Sequence, residues 1–186
     1  MSLADTLRVV VEALENARVP HMLAGSLAST YHGEPRATQD VDIVIDPASR
    51  EALDDFAAAL NRDRFYVGDH RAAFARREAF NVIDLTTGWK VDLIVRRDRT
   101  YSRTEFERRQ PADVEGIPVY VATAEDTILT KLEWAKLGES ERQLRDVEAV
   151  IRAIGDSLDR PYLTEWATEL GLLPELERTL DRSSDS

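Results

Sequence analysis

Two short stretches determine the fold of this chain: Leu23-Ala24-Gly25-Ser26 and, after a spacer of thirteen residues, Asp40-Val41-Asp42-Ile43-Val44. The first is typical of a short strand that turns at a glycine into a helix. The second alternates, with Val41, Ile43 and Ile45 on one face, and this predicts a strand with one buried side. A strand, a turn into a helix and a second strand indicate a mixed α/β core.

Periodic patterns along the rest of the chain extend this core to residue 121. Predicted helices lie at 3–17, 27–31 (with Ser26 as its N-cap), 49–60 and 70–77. Predicted strands lie at 21–24, 40–46, 79–85, 89–95 and 117–121. The polar residues 96–116 predict a loop or a short helix, and every later pattern is helical. We therefore expect an α/β (α+β) fold, a mixed β-sheet flanked by helices, with a core over 1–121, a helical segment over 122–182 packed on it and a tail at 183–186.

The composition is that of a soluble globular protein, since 43% of the 186 residues are hydrophobic and 32% are charged. The longest uncharged stretch, Val19 to Gly33, has 15 residues and is too short to span a bilayer. The first residues lack the pattern of a signal peptide. The chain contains no cysteine, which excludes disulfides, thiolate catalysis and cysteine-bound zinc. These observations favour a cytoplasmic protein without membrane partners.

The charge of −11 is distributed unevenly along the chain. Segment 71–109 carries ten Lys or Arg and six acids, whereas the rest of the chain carries 14 and 29. Strong overall acidity argues against non-specific nucleic-acid binding, which depends on neutralised phosphates. The basic segment is compatible with a phosphate-bearing substrate, and equally with a solvated arginine-rich surface.

Three aspartates in strand patterns carry the predicted chemistry. Asp40 and Asp42 project from one face of their strand, where like charges repel unless a cation compensates them. Asp92 lies in a second strand pattern, and if the two strands pair, all three carboxylates share one patch of sheet. Magnesium prefers such oxygen ligands and shares them with substrate phosphates. Three carboxylates are enough to hold two metal ions about 3.5–4 Å apart, the arrangement used for in-line phosphoryl displacement.

The Gly25-Ser26 turn provides the complementary half of this prediction. A glycine between strand and helix lets a phosphate approach the backbone, and the first amide groups of the helix can bind it. Taken singly, each motif is weak, because Asp-x-Asp is also typical of a solvated strand face and Gly-Ser of an ordinary turn. A haloacid-dehalogenase site needs an apolar strand before its aspartates, and a calcium loop needs further oxygen ligands where this chain has Val44 and Ile45.

In combination, Gly25-Ser26, Asp40-Val41-Asp42 and Val91-Asp92-Leu93 resemble the signature of the DNA polymerase β-like nucleotidyltransferase superfamily. Arg36-x-Thr38-x-Asp40 is similar to the lead-in of small bacterial members. The helical residues Glu125-Asp126, Lys131 and Arg145-Asp146 are similar to motifs of abortive-infection and toxin-type members. The resemblance covers about residues 20–150 and implies transfer of a nucleoside monophosphate from a triphosphate such as ATP, with Mg²⁺ or Mn²⁺ as cofactor.

Carried over residue by residue, the resemblance implies that Asp40 and Asp42 ligate metal and position the triphosphate. It implies that Asp92 binds the catalytic metal and helps to deprotonate the acceptor hydroxyl. It assigns Gly25 and Ser26 to the β- and γ-phosphates.

Two basic residues complete the predicted nucleotide-binding set. Arg36 is a candidate phosphate contact or an anchor of the loop before Asp40, and Lys131 a candidate phosphate contact or a lysine at the margin of the core. The helical wheel places Asp146 away from the apolar stripe of its helix, where it is a candidate surface i,i+4 partner or a candidate for a catalytic role. Asp84 lies in a strand pattern, and the motif assigns it no role.

The acceptor stays open, because the chain shows no separate acceptor-binding domain and no basic, aromatic-lined groove. RNA or tRNA, a protein hydroxyl and a small molecule such as an aminoglycoside are the alternatives. The resemblance also implies a toxin–antitoxin role, with an antitoxin protein as partner. Two competing functions use the same residues: a nucleotide- or protein-binding module without turnover, and a metal-dependent phosphohydrolase with water as acceptor.

Overall fold

The computed structural model describes residues 2–34, 40–138 and 141–184 of the chain. The chain divides into two compact units. The first consists of Met1–Ala24 and Thr38–Val121, and the second of Gly25–Ala37 and Ala122–Ser186. The second unit therefore takes a segment from within the predicted core 1–121, in addition to the predicted helical segment 122–182.

The first unit contains a sheet of seven strands. The strands are β1 (His21–Leu23), β2 (Asp40–Ile45), β3 (Phe65–Val67), β4 (Ala79–Asp84), β5 (Lys90–Val95), β6 (Gln110–Val114) and β7 (Ile117–Val121). Their order across the sheet is β3-β4-β5-β2-β1-β7-β6. The β2–β5 and β1–β7 pairs are parallel and the other pairs antiparallel. The predicted mixed sheet is thus confirmed.

Among the described residues, four helices belong to the same unit as the sheet: α1 (Leu3–Asn16), α3 (Arg50–Ala59), α4 (His70–Arg76) and α5 (Thr100–Glu107). Apolar residues of α1 at helical spacing, such as Leu7, Val10 and Leu14, are completely buried. Phe56 of α3 meets Phe80 of β4 edge to face, with ring centroids 6.4 Å apart. Helix α3 therefore covers the apolar face of the sheet, and Asp42, Asn81 and Asp92 lie on the opposite face.

The second unit is helical, with α2 (Gly25–His32), α6 (Ala124–Gly138), α7 (Glu141–Ile154), α8 (Arg160–Glu169) and α9 (Leu173–Ser184). Helix α2 ends close to α7, where a Cβ atom added to Gly33 would lie 3.1 Å from the Val150 nitrogen. Any larger residue at this position would require the neighbouring backbone to shift by a few tenths of an ångström. None of the helices in the described parts of the chain is long and apolar enough to cross a membrane.

The hairpin predicted around Thr86-Thr87-Gly88 is confirmed. Gly88 has a φ of 78°, and its amide donates to the carbonyl oxygen of Asp84 at 2.7 Å. A positive φ at this position costs glycine little. The turn sets the antiparallel register of β4 against β5, and this register places Asn81 opposite Asp92.

Three elements differ from the prediction. Residues 96–116, expected to form a loop or short helix, contain the strand β6 as well as α5. The sequence of β6, Gln110-Pro111-Ala112-Asp113-Val114, lacks an apolar alternation, and the strand forms by pairing with β7 at the sheet edge. Strand β3 is also additional. Helix α2 begins at Gly25, so that Ser26 lies in its first turn and not before it.

The Asp84 carboxylate lies on the buried face of the sheet and is fully inaccessible. Its Oδ2 accepts hydrogen bonds from the Thr6 hydroxyl at 2.7 Å and from Arg64 Nη2 at 2.7 Å, and its Oδ1 accepts one from the Thr86 amide at 3.0 Å. Burial alone would raise the pKa of Asp84, but the hydrogen bonds from Arg64, Thr6 and Thr86 outweigh it and hold this pKa well below the usual range. Asp84 therefore stabilises the unit, and this explains an acid to which the motif assigns no role.

We expect Asp84→Asn to lower the free energy of unfolding by about 3 kcal/mol at pH 7, because Arg64 loses its buried partner. The folded pKa lies below the unfolded value of about 3.9, so the contribution is complete above that value and is lost as the pH falls below it. Urea unfolding between pH 7 and pH 2.5 measures the difference in the free energy of unfolding between wild type and Asp84→Asn. We expect this difference to shrink below about pH 4. Asp98→Asn, which removes an exposed partner of Arg103, is the control and should change little. An advantage independent of pH would contradict this account.

Candidate functional site

The parallel pair β2–β5 brings the three predicted carboxylates together. Asp42 is the direct cross-strand partner of Asp92, and Asp40 is the partner of Lys90. Val41, Ile43, Val91 and Leu93, which alternate with these residues, are completely buried on the opposite face. Asp40, Asp42 and Asp92 therefore share the polar face of the sheet, and we call them the carboxylate cluster.

The carboxylates of the cluster differ in their exposure to solvent. The Asp40 side chain, at the start of β2, is 56% exposed, whereas that of Asp92 is 21% exposed. A ligand thus has access to the cluster, while Asp92 lies deep enough for its charge to be only partly screened by water.

Lys90 provides a positive charge within the cluster. Its Nζ lies 2.8 Å from Asp92 Oδ2 and 3.5 Å from Asp40 Oδ1. The hydrogen bond to Asp92, together with the charges of both carboxylates, raises the pKa of Lys90 against a smaller opposing effect of burial, so the side chain stays an ammonium. The sequence contained the signal, because Lys90 and Asp92 are two residues apart in one strand, but only the register of β2 adds Asp40.

Asn81 of β4 is a second residue that the sequence analysis did not single out. Its Nδ2 donates to Asp92 Oδ1 at 3.1 Å. The contact follows from the β4–β5 register, in which Asn81 faces Asp92. Both oxygens of Asp92 therefore have a donor, a neutral amide on one and the Lys90 ammonium on the other, and these contacts orient the carboxylate.

The donor set of the cluster suits magnesium, a hard cation that binds carboxylate oxygens. Within residues 2–34, 40–138 and 141–184, no group of three or more His, Asp or Glu side chains is arranged so that it could hold a metal ion as it stands. At this cluster the Lys90 ammonium already bridges Asp40 and Asp92. A divalent cation therefore fits the chemistry of the three carboxylates, provided that Lys90 moves away.

The predicted phosphate-binding turn follows β1. The amide of Ala24, the last residue of the first unit before the turn, donates to the carbonyl oxygen of Asp42 at 2.9 Å. Gly25 then has a φ of 55°, a left-handed conformation that favours glycine. Gly25 and Ser26 both retain partial exposure. Arg36, the other predicted contact on this side, lies outside the described residues.

Lys131 lies inside the helical unit, with 3% of its surface exposed. Its Nζ donates to Asp146 Oδ2 at 2.8 Å and to Gln143 Oε1 at 2.9 Å. Asp146 is buried as well, and this corrects the expectation that it lies on the surface. The physical reason is that α6 packs against the flank of α7 that the helical wheel assigns to solvent. The predicted contact of Lys131 with a nucleotide stays a prediction.

No family model matches the sequence, and no curated protein matches it. Solved structures do match the fold. The crystal structure of ANT(2″)-Ia in complex with adenylyl-2″-tobramycin shares 14% identity and a TM-score of 0.57, over 96% of this chain and 98% of that one. An antigenic nucleotidyltransferase-like protein from Paracoccidioides brasiliensis shares 19% identity and a TM-score of 0.53, over 96% and 93% of the two chains.

The lincomycin-bound lincosamide antibiotic adenylyltransferase LnuA shares 11% identity and a TM-score of 0.54, over 81% of this chain and 96% of that one. At these identities the similarity concerns the fold. The chain therefore has the fold of nucleotidyltransferases, and the expectation drawn from the motifs is confirmed at that level.

Proposed function

We propose that the protein is a magnesium-dependent nucleotidyltransferase, which transfers a nucleoside monophosphate from a triphosphate to a hydroxyl group. The observation that carries this proposal is the carboxylate cluster, three aspartates on one polar face of two adjacent strands, in a chain with a nucleotidyltransferase fold. Two like charges in direct cross-strand register are unfavourable in a purely structural strand pair. They are expected where a cation and a polyphosphate are bound.

In the proposed reaction, the acceptor hydroxyl oxygen attacks the α-phosphorus of the triphosphate. A new P–O bond forms as the bond to the bridging oxygen of the β-phosphate breaks, and pyrophosphate leaves with that electron pair. The hydroxyl proton passes to the carboxylate of Asp92, as the resemblance implies. Asp40 and Asp42 orient the triphosphate for this in-line attack.

Magnesium held by Asp40, Asp42 and Asp92 would neutralise the phosphate oxygens and stabilise the charge that develops on them. We also propose that Gly25 and Ser26 bind the β- and γ-phosphates. The left-handed conformation of Gly25 and the position of Ser26 in the first turn of α2 support this role, because the first amide groups of a helix lack intrahelical partners and bind anions.

For the acceptor, we propose a small hydroxyl-bearing molecule, in preference to RNA or a protein. Two structures with this fold are an adenylyltransferase with bound lincomycin and a complex with adenylyl-2″-tobramycin, and the match extends over 96% and 98% of their chains. The net charge of −11 would attract a cationic acceptor and repel RNA. A toxin–antitoxin role would instead require transfer to RNA or to protein. Labelling with RNA and protein among the acceptors tests this alternative.

The experiment is incubation with α-labelled nucleoside triphosphates, Mg²⁺ and a panel of acceptors: aminoglycosides, lincosamides, tRNA and a lysate protein fraction. We expect label in a small-molecule adduct whose mass increases by one nucleotide, together with pyrophosphate release. Label in RNA or protein would overturn the proposed acceptor but not the transfer. Phosphate or pyrophosphate release without an adduct would favour a phosphohydrolase, and triphosphate binding by calorimetry without turnover would favour a binding module.

Asn81→Ala should weaken the binding of Mg²⁺ to the carboxylate cluster without unfolding the protein. With one oxygen of Asp92 left without its donor, we expect the Mg²⁺ concentration needed for half-maximal rate to rise about tenfold. A metal titration of the initial rate measures this. An unchanged titration curve would show that Asn81 does not position Asp92.

A further inference from the structure

Lys90 is held in the carboxylate cluster by the backbone register. Lys90 and Asp92 are residues i and i+2 of one strand, which point to the same face, and Asp40 is the cross-strand partner of Lys90. The ammonium consequently lies between two carboxylates, 2.8 Å from an oxygen of Asp92 and 3.5 Å from an oxygen of Asp40. The cluster thus carries its own counter-cation.

The two side chains that donate to Asp92 would affect a bound divalent cation differently. Asn81 is neutral and can stay on Oδ1 when a divalent ion binds the other oxygen. Lys90 occupies Oδ2 and is charged, so it repels a divalent cation and competes with it for the same oxygen. With 36% of its side chain exposed, Lys90 has a path by which its flexible stem can swing out to solvent.

We propose that Lys90 is a positioning residue that occupies the cation site of the cluster and exchanges with the divalent metal. While no metal is bound, its ammonium offsets the repulsion among the three carboxylates. Metal entry displaces the ammonium from Asp92 and Asp40, so that binding of the metal and release of the lysine are one coupled equilibrium. This proposal rests on the proposed function in one respect, the use of the cluster by a divalent cation.

If Lys90 exchanges with the metal, its removal changes metal affinity and the stability of the metal-free protein in opposite directions. A lysine that only fills space would not have this effect. Removing the competing charge must tighten metal binding, because the metal no longer has to displace an ammonium. The same change should destabilise the metal-free protein, because Asp92 and Asp40 then lose the ammonium that offsets the repulsion between them. Bound metal must therefore restore the stability that the substitution removes.

The experiment compares wild type with Lys90→Met, which keeps most of the length of the side chain without its charge, and with Lys90→Arg, which keeps the charge. Lys136→Met is the matched control, a half-exposed lysine on α6 that is paired with Glu175. Mn²⁺ is titrated without nucleotide and counted by electron paramagnetic resonance. We expect Lys90→Met to bind Mn²⁺ about tenfold more tightly than wild type, and Lys90→Arg and Lys136→Met to bind it as wild type does.

Thermal unfolding provides the second readout. In EDTA, Lys90→Met should unfold at a lower temperature than wild type, and adding Asp92→Asn should recover most of the loss. Saturating Mn²⁺ should close the gap between Lys90→Met and wild type, which it would not do for a lysine that only fills space.

The outcomes separate this proposal from the proposed function. Equal or weaker Mn²⁺ affinity of Lys90→Met, with nucleotidyl transfer intact, would overturn the exchange alone. Failure of every protein to bind Mn²⁺ saturably would overturn the exchange and the metal dependence of the proposed function together. Lys90→Met that is as stable as wild type in EDTA would overturn the role of counter-cation.

Discussion

Asp42→Asn is expected to reduce nucleotidyl transfer by about 10³-fold or more while leaving the fold intact. Asp42 faces Asp92 directly across the parallel strand pair, so one neutral amide removes half of the charge at the centre of the cluster. The charge is needed to hold the divalent cation and the triphosphate, and an amide replaces it with a much weaker ligand. The loss should appear in single-turnover transfer of labelled nucleotide.

Stability provides the internal check on this prediction. In EDTA, Asp42→Asn should unfold at the same temperature as wild type or at a higher one, because a like-charge cross-strand pair has been relieved. Asp113→Asn is the matched control. Asp113 lies on β6, away from the cluster, and accepts a hydrogen bond from the Gly116 amide that asparagine can also accept. Wild-type transfer by Asp42→Asn, or equal losses in both variants, would contradict the assignment of the cluster.

Lys131→Met should lower the free energy of unfolding by about 3–5 kcal/mol. The substitution leaves the Asp146 carboxylate charged and buried without the ammonium that lies 2.8 Å from it. A second change, Asp146→Leu, should recover most of this loss, since an apolar pair of similar volume replaces a buried ion pair at little cost. Urea unfolding of the two single variants and the double variant measures the coupling.

The same variants decide between the two predicted roles of Lys131. A residue that mainly holds α6 to α7 changes stability strongly, and its loss is compensated by Asp146→Leu. A residue that binds the triphosphate instead raises the KM for nucleotide in a folded variant, and Asp146→Leu does not restore it. Lys136→Met, an exposed substitution on the same helix, should change neither quantity appreciably.

The strands that carry the cluster were predictable because each buries one face. The alternation of β2 places Val41, Ile43 and Ile45 on the buried face, and this alone places Asp40 and Asp42 together on the other face. Whether Asp92 joins them depends on which strands pair and in which register, a long-range choice that single-sequence patterns leave open. The motif resemblance implied that Asp92 lies beside Asp40 and Asp42, and the structure pairs β5 with β2 in this way.

Other features depend on packing that no local pattern encodes. Asp146 lies on the polar side of an amphipathic helix, yet it is buried because Lys131 of the neighbouring helix α6 pairs with it. Asn81 acquires its contact with Asp92 only through the β4–β5 hairpin. Strand β6 has a sequence typical of a polar loop and becomes a strand because β7 offers it an edge.

Anomalous diffraction tests whether Asp40, Asp42 and Asp92 form a site for divalent cations and a nucleotide. Crystals grown with Mn²⁺ and a non-hydrolysable nucleoside triphosphate would be measured at the manganese edge. We expect an anomalous peak at bonding distance from carboxylate oxygens of Asp42 and Asp92, with the Lys90 ammonium displaced from Asp92. A bound triphosphate with no manganese at these carboxylates, and with Lys90 still on Asp92, would contradict it.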